Sequence, residues 1–374
     1  MKRLNLELAP SQQAMLHHIR KHRSLSRSQL GKLASLSSGA VTRFGRGLID
    51  VGLLSETPLD RAGSSSGRPA QALSLRAEGG VAYGFALHPG WLECALLDFE
   101  GTVLQSSRKV LADATLDSAA ELAALFVRDT RVDGPSIVFG AGVAVPGYTT
   151  TDPQRRRTVD ALRSWREVDL PAFFTRALGM PVYVENDASA AVVAENYATD
   201  ARDASVVMAI TLDAGVGGGV MVEGRLLRGA HGNAGEIGWL YPYGKPRPSA
   251  LDYLAMAAAA DKQTTLEALV SGDADVDAAA RRWCRRAGKQ LVAAVNAGAG
   301  WLDPDRIVIT GALPLPVLAE TTRALAAEPL FEAQSDIPRP KPLASAYGAK
   351  AAAIGAGHLP FYALSFPLSA SNAI

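Results

Sequence analysis

Cysteine is nearly missing from this chain: there are two in 374 residues, Cys94 and Cys284. Two thiols so far apart in sequence build no disulfide framework, so a reducing compartment, the cytoplasm, is expected. Long apolar runs are missing too. None reaches the roughly 18 residues of a membrane span, and the opening MKRLNLELAP has no signal-peptide core, so no membrane partner is expected. Charge is modest at 20% against 48% hydrophobic residues, which excludes a disordered chain. What is present is enough length for two or three domains at about 100–200 residues each and for an ample core without metal or disulfide staples. The net charge of +1 hides an asymmetry. Residues 1–76 carry twelve Lys and Arg against four Asp and Glu, a balance of +8, and the remainder balances at −7. A basic head on an acidic body suggests that the head meets a polyanion.

The head has a helical trio. Ser11 to Lys21 reads as a helix with Met15, Leu16 and Ile19 as its apolar stripe and Ser11 as N-cap. A second helix starts near Ser26, with Leu30 and Leu33 facing inward, and a third runs from Ser38 to Asp50, with Phe44, Leu48 and Ile49 on its buried side. Two short helices around a tight turn fit a helix-turn-helix. Ser38, Thr42, Arg43 and Arg46 then lie on the outer face of the recognition helix, able to reach base edges and phosphates in a major groove. Val51–Glu56 and Gln71–Leu75 read as strands around a Gly/Ser-rich tip, which makes a wing, and Arg68 in Gly67-Arg68-Pro69 is suited to a narrow A·T-rich minor groove. Helical trios also arise by chance in helical proteins. The wing, the charge and the terminal position favour DNA reading.

After residue 78 apolar strands alternate with Ala-rich helices. Strands are expected at Val81–Leu87, Leu92–Asp98, Val103–Val110, Ser136–Val145, Pro181–Val184, Ser205–Leu212, Gly219–Glu223 and Ile307–Thr310, with helices at Leu116–Arg128, Ala188–Tyr197 and Ala278–Ala297. Strands in series followed by a helix, then the same order again, suggest an α/β fold in two related halves. Two segments carry the chemistry. In Val184-Glu185-Asn186-Asp187-Ala188 an amide and a carboxylate sit at the carboxyl end of a strand, where open α/β sheets place ligands. Such a pair can hold vicinal hydroxyls, although Asp187 can equally serve only as the cap of the helix that follows. In the second segment, Asp213-Ala214-Gly215-Val216-Gly217-Gly218-Gly219 and Gly229 to Trp239 form two glycine runs, the second of which encloses a single Glu, Glu236. The glycines permit close backbone approach.

On these motifs the chain resembles the ROK family of sugar kinases and sugar-responsive repressors. The glycine run with Ala234-Gly235-Glu236-Ile237-Gly238 resembles the family signature, Glu185-Asn186-Asp187-Ala188 its sugar and base motif, and Leu302 to Ile309 its strand before the nucleotide-site glycines, here Thr310-Gly311-Ala312. The winged head resembles the repressor branch. The resemblance implies an α/β fold with an N-terminal winged helix-turn-helix followed by a two-lobed, actin-like (ribonuclease-H-like) ATPase fold. The expected domains are a head at 1–78, a first lobe at 79–185 completed by 355–374, and a second lobe at 186–354 with the sugar site in the cleft.

The departures from the family pattern bear on function. Family kinases have an Asp-x-Gly-Gly-Thr phosphate loop; here the stretch reads Ala86-Leu87-His88-Pro89-Gly90, with neither carboxylate nor hydroxyl, and Asp213-Ala214-Gly215 stands for Gly-Thr-Gly. Without those groups a γ-phosphate is neither clamped nor neutralised, so no phosphoryl transfer and no enzyme activity is expected. The family's zinc site is expected to be absent as well: Trp239 replaces its His, no cysteine follows, and no four ligands are grouped. No cofactor is expected. The sugar-site residues that the resemblance implies are Asn186, Asp187, Glu236, Asp252 (one methylene shorter than the family Glu), Gly147 by its backbone, and Trp239, which stacks on ligand, fills the pocket or packs in the core. The resulting expectation is a DNA-binding regulator, a repressor of carbohydrate genes, working as a homodimer or homotetramer on an operator. The alternatives are a sugar kinase that keeps Asp187 as base, and a regulator that senses a protein partner or no sugar.

Overall fold

The computed structural model describes residues 8–58, 71–130, 137–152, 155–198, 201, 204–242, 244–259, 261, 264–271, 276–331 and 338–366. Helix α1 (Pro10–His22) opens on a proline at its first position, where the missing N–H costs no helical bond. That proline moves the cap from Ser11, the expected place, to Ala9, whose N–H donates to Gln12 Oε1 at 3.0 Å. Strand β1 (Ser24–Ser26) leads into α2 (Arg27–Leu33), capped by the Ser26 hydroxyl. Helix α3 (Ser38–Asp50) is capped by Ser37. Leu30 and Leu48 are buried as expected, but Leu33, the last residue of its short helix, is exposed. Gly52, at φ +80°, ends α3, with the N–H groups of Gly52 and Leu53 donating back to the Ile49 and Leu48 carbonyls. The strand expected from Val51 therefore starts later, as β2 (Leu54–Pro58). It pairs antiparallel with β3 (Gln71–Leu75), and β1 adds to the far side of β3. The wing tip, with Arg68, lies outside the described residues.

The body holds two five-stranded sheets of the same design. In the first, β4 (Val81–His88), β5 (Trp91–Asp98) and β6 (Val103–Val110) form an antiparallel meander. Helix α4 (Leu116–Asp129) crosses to β7 (Val138–Val145), parallel to β4. A small hairpin of β8 (Gly147–Thr149) and β9 (Arg156–Thr158) and helix α5 (Leu170–Leu178) precede β10 (Val182–Asn186), parallel to β7. Helix α6 (Asp187–Tyr197) follows at once. In the second sheet, β11 (Val206–Leu212), β12 (Val216–Val222) and β13 (Arg225–Leu226) are again an antiparallel meander. Helices α7 (Ala250–Ala258), α8 (Leu266–Ser271) and α9 (Ala278–Leu302) come next. Then β14 (Arg306–Thr310), α10 (Leu315–Ala326) and β15 (Pro342–Ala344) complete the sheet with parallel strands. The strand orders β10-β7-β4-β5-β6 and β15-β14-β11-β12-β13 match position for position. This is the doubled α/β pattern that the sequence announces.

Helix α11 (Ala351–Ser365) is buried along most of its length. Its contacts with the first sheet and with α6 are backbone to backbone. A Cβ on Gly84 would come within 2.0 Å of the Ala353 carbonyl, one on Gly142 within 1.9 Å of that of Ala356, and one on Gly355 within 1.7 Å of that of Ala190. Only glycine permits this approach. The same helix receives the head. Met15, Leu16 and Ile19 of α1 share one continuous core with Phe99 and with Leu359 and Phe361 of α11. Arg20, buried, donates from Nη1 to the Phe99 carbonyl at 2.8 Å, with its guanidinium 4.9 and 5.0 Å from the Phe99 and Phe361 ring centres. Lys21 pairs with Glu223 at 2.5 Å, on the turn between β12 and β13. Burial, helped by His18, Arg225, Lys21 and His22, holds the His17 imidazole at about 3, so this interface residue is neutral.

Candidate functional site

The residues expected to form the site meet where β10 hands over to α6. Asn186 is the cap of α6: its Oδ1 accepts from Ala188 and Ser189 N–H at 2.8 and 3.1 Å. Its Nδ2 donates to the Gly147 carbonyl at 2.7 Å. The amide expected to bind hydroxyls is thus already engaged, and it ties the turn at Gly147 to the helix start. Gly147, at φ +127°, admits no side chain, since a Cβ would sit 2.4 Å from the Arg157 carbonyl. With the cap supplied by Asn186, the Asp187 carboxyl is left among Asp213, His88 and Glu236. Among the described residues its Oδ1 accepts only from its neighbour, Ala188 N–H, at 2.9 Å. Burial, then the field of Asp213, push its carboxyl up to about 7; the Ala188 N–H and His88 oppose this, and Glu236 adds to it. Glu236 is also raised by burial, against the pull of Arg156, and its carboxylate has no ion pair among the described residues.

The glycine runs explain how Glu236 is placed. Gly235, at φ +94°, would drive a Cβ to 2.3 Å from the Gly218 carbonyl, and Gly219 would drive one to 2.6 Å from that of Ala188. Strand β12 therefore touches both the Glu236 turn and the start of α6 through backbone. Two residues not singled out in the sequence reading complete the frame. Glu185, buried, takes Arg156 at 3.3 Å on one oxygen and Arg228 at 3.0 Å on the other. Asn233 pairs its amide with both backbone groups of Thr149, at 2.8 and 3.0 Å, fastening the β8–β9 hairpin to the second lobe. Both lie inside the quoted motifs. An acid directly before Asn-Asp and an amide beside the signature glutamate were the available signals.

The other expected ligands lie elsewhere or face outward. The Asp252 carboxylate accepts from Trp283 Nε1 at 2.7 Å and pairs with Arg286, so it braces α7 against α9. Trp239 is 69% exposed, which removes core packing from its possible roles. With an indole there and no cysteine from Leu240 to Ala250, the donor set does not fit a tetrahedral zinc. Where a phosphate loop would run, β4 and β5 are joined by the tight turn Pro89-Gly90. His88 ends β4 buried: its Nδ1 is 3.5 Å from Asp213 Oδ1, its Nε2 is 3.2 Å from the Ala349 carbonyl, and its ring stacks on Trp91 at 4.6 Å. On the head, Ser38, Thr42, Arg43 and Arg46 are all exposed along one side of α3.

Comparison with known proteins accords with this geometry. An uncharacterized protein, y4fQ, of Sinorhizobium fredii is 31% identical over 98% of this chain and 94% of its own length. The xylose repressor of Bacillus spizizenii is 26% identical over 61% of this chain and 59% of its own length. Among solved structures, a ROK family transcriptional regulator described as a homolog of the E. coli MLC protein superposes with TM-score 0.69 at 23% identity, covering 96% of this chain and 97% of its own. A ROK family glucokinase from Streptomyces griseus, solved with glucose and AMPPNP, superposes with TM-score 0.56 at 21% identity, covering 75% of this chain and 99% of its own. At these identities the structures speak for the fold alone. Residues 90–360 match the ROK family, and the chain belongs to it.

Proposed function

We propose that this protein is a sugar-responsive, DNA-binding transcriptional regulator, a repressor, whose cleft binds its effector without phosphoryl transfer. The observation that carries the reading is the basic head fused to a kinase-shaped body, with Ser38, Thr42, Arg43 and Arg46 exposed on one side of α3. Such a face suits phosphate and base contacts in a major groove. In the cleft, Asp187 and Glu236 are the carboxyls free to accept sugar hydroxyls, and Asn186 and Gly147 shape the floor. The buried His88 and the Pro89-Gly90 turn after it themselves offer no hydroxyl or carboxylate to a γ-phosphate or its metal.

Transmission from cleft to head follows the packing. Asp187 opens α6, α6 meets α11 at the Gly355–Ala190 contact, and α11 carries Phe361, on which Arg20 of the head is seated. Effector binding shifts the head only by its differential affinity for the two lobe arrangements. The chain works as a homodimer or homotetramer, since helix-turn-helix readers match paired half-sites.

The test has two arms. Sequencing of genomic DNA fragments retained by the full chain yields enriched sites, which Arg43→Ala with Arg46→Ala abolishes. A thermal-shift screen with neutral mono- and disaccharides finds ligands that raise the melting temperature of the wild type and not of Asp187→Ala. Sugar-dependent ADP release from ATP would replace this reading with the kinase.

A further inference from the structure

His88 and Asp213 occupy corresponding places in the two repeats. His88 ends β4 at the turn into β5, and Asp213 follows β11 at the turn into β12. The two turns meet across the cleft, and both nitrogens of His88 face acceptors. The Ala349 carbonyl can only accept, so Nε2 at 3.2 Å must carry a proton. Nδ1 lies 3.5 Å from the Asp213 carboxylate, at ion-pair rather than hydrogen-bond distance, and that buried Oδ1 has no hydrogen-bond partner among the described residues. A neutral imidazole, its one N–H on Nε2, leaves that carboxylate facing no positive charge; an imidazolium keeps the Ala349 contact and neutralises it.

The surroundings hold the ring in place. Trp91, fully buried, stacks on it with planes 12° apart. Although Trp91 belongs to β5, it packs in the core of the second lobe. Its Nε1 donates to Glu93 at 3.1 Å, and Arg108 of β6 pairs with that carboxylate at 2.8 Å. Arg108 also reaches Ser271 at the end of α8, at 2.6 Å. The charged groups facing His88 are therefore Asp213 from the β11–β12 turn, Glu93 from β5, with Arg108 behind it, and Asp187 from α6.

We propose that His88 is a resident cation that clamps the two lobes together and makes closure of the cleft proton-dependent. Protonated, it ties the β4–β5 hairpin to Asp213 and Ala349 of the second lobe; deprotonated, it loses the Asp213 side. Burial acts to lower its proton affinity, but the Asp213 carboxylate, helped by Glu93 and Asp187, prevails and raises it above that of ordinary histidine. The clamp is present at neutral and acid pH and is lost as pH rises through the raised value.

The test uses the full chain labelled with 15N-histidine, which has six histidines. At pH 7.5 one imidazole should show protons on both nitrogens, and this signal should vanish in His88→Gln. If that variant does not fold, Asp213→Asn should remove the second proton from the same signal at pH 7.5. The radius of gyration from X-ray scattering should increase from pH 7 to one pH unit above the measured midpoint in the wild type. In Asp213→Asn it should already be larger at pH 7 and stay constant. A singly protonated His88 at pH 7.5 overturns the proposal. A doubly protonated His88 whose titration leaves the radius unchanged also overturns it, because the cation would then clamp nothing.

Discussion

Around the start of α6, buried charged groups are mostly committed to one another: His88 faces Asp213, and Glu185 holds Arg156 and Arg228. Along the outer side of α3, Arg43 and Arg46 are exposed and have no ion pair among the described residues. A buried charge that loses its partner is costly, so the cleft's charges fix one arrangement of two lobes. An exposed charge costs little to leave alone, so those of the head remain available for a polyanion. The +8 and −7 halves of the sequence are thus two different uses of charge as well as two different signs.

The largest effect is expected at the cleft. Asp213→Ala strips the buried His88 of its carboxylate and should lower unfolding free energy by about 3–5 kcal/mol, read from urea melts at pH 7. The comparison of the repeats sharpens this. If the two turns are interchangeable halves of one contact, exchanging the charges with His88→Asp and Asp213→His should recover part of that loss. A swap no more stable than Asp213→Ala would mean that Trp91 and Ala349 fit the ring on one side only.

On the head, the same size of change should leave stability alone. Arg43→Ala or Arg46→Ala should each weaken operator binding by roughly 1–3 kcal/mol if the side chain reaches a base edge. A phosphate contact would instead weaken all sequences alike and flatten the salt dependence by about one unit of slope per residue removed. Fluorescence anisotropy at several salt concentrations separates the two. Urea melts of the same variants should stay within about 0.5 kcal/mol of wild type, as for exposed positions generally.

The fold was largely legible because its signals are periodic. The helical trio, the first meander, the first two strands of the second and the strand before α6 appear within a few residues of their expected bounds, shifted where a local rule intervened, as Pro10 did for the first cap and Gly52 for the wing strand; the two-residue β13 is too short to leave a periodic signal. The site was legible as a set of motifs but not as roles. Sequence places Asn186 and Asp187 side by side; only the chain's path through Gly147 decides which one caps the helix and which one is left over. Likewise Asp252 has the right type and rough position for a sugar ligand, yet α9 supplies Trp283 and Arg286 to claim it. His88 was invisible as a partner because its acceptors lie more than a hundred residues away, in the other repeat.

Asp187 gives a smaller effect with a definite sign. Its folded-state value of about 7 lies above the usual carboxyl value of 3.8. The folded state therefore holds the proton more tightly, and ionisation weakens the fold as pH rises between those two values. Asp187→Asn should raise the melting temperature by a few degrees at pH 8, with the gain shrinking towards pH 4. A gain independent of pH would indicate that burial of the side chain, not its charge, is responsible.

The smallest stability effect belongs to Trp239, and it is the most informative about the ligand. At 69% exposure the indole supports no core, so Trp239→Ala should change unfolding free energy by no more than about 0.5 kcal/mol. If the ring stacks on the effector, the thermal shift produced by a sugar identified in the screen should fall sharply in this variant, since burying an aromatic face on binding contributes strongly to affinity. If the shift is untouched, Trp239 is an outer-surface residue and recognition rests on Asp187 and Glu236 alone. Either result extends the contrast between the two regions. The indole would be an exposed group that waits for its ligand, as the α3 arginines wait for DNA, placed beside a cleft whose other charges are largely engaged.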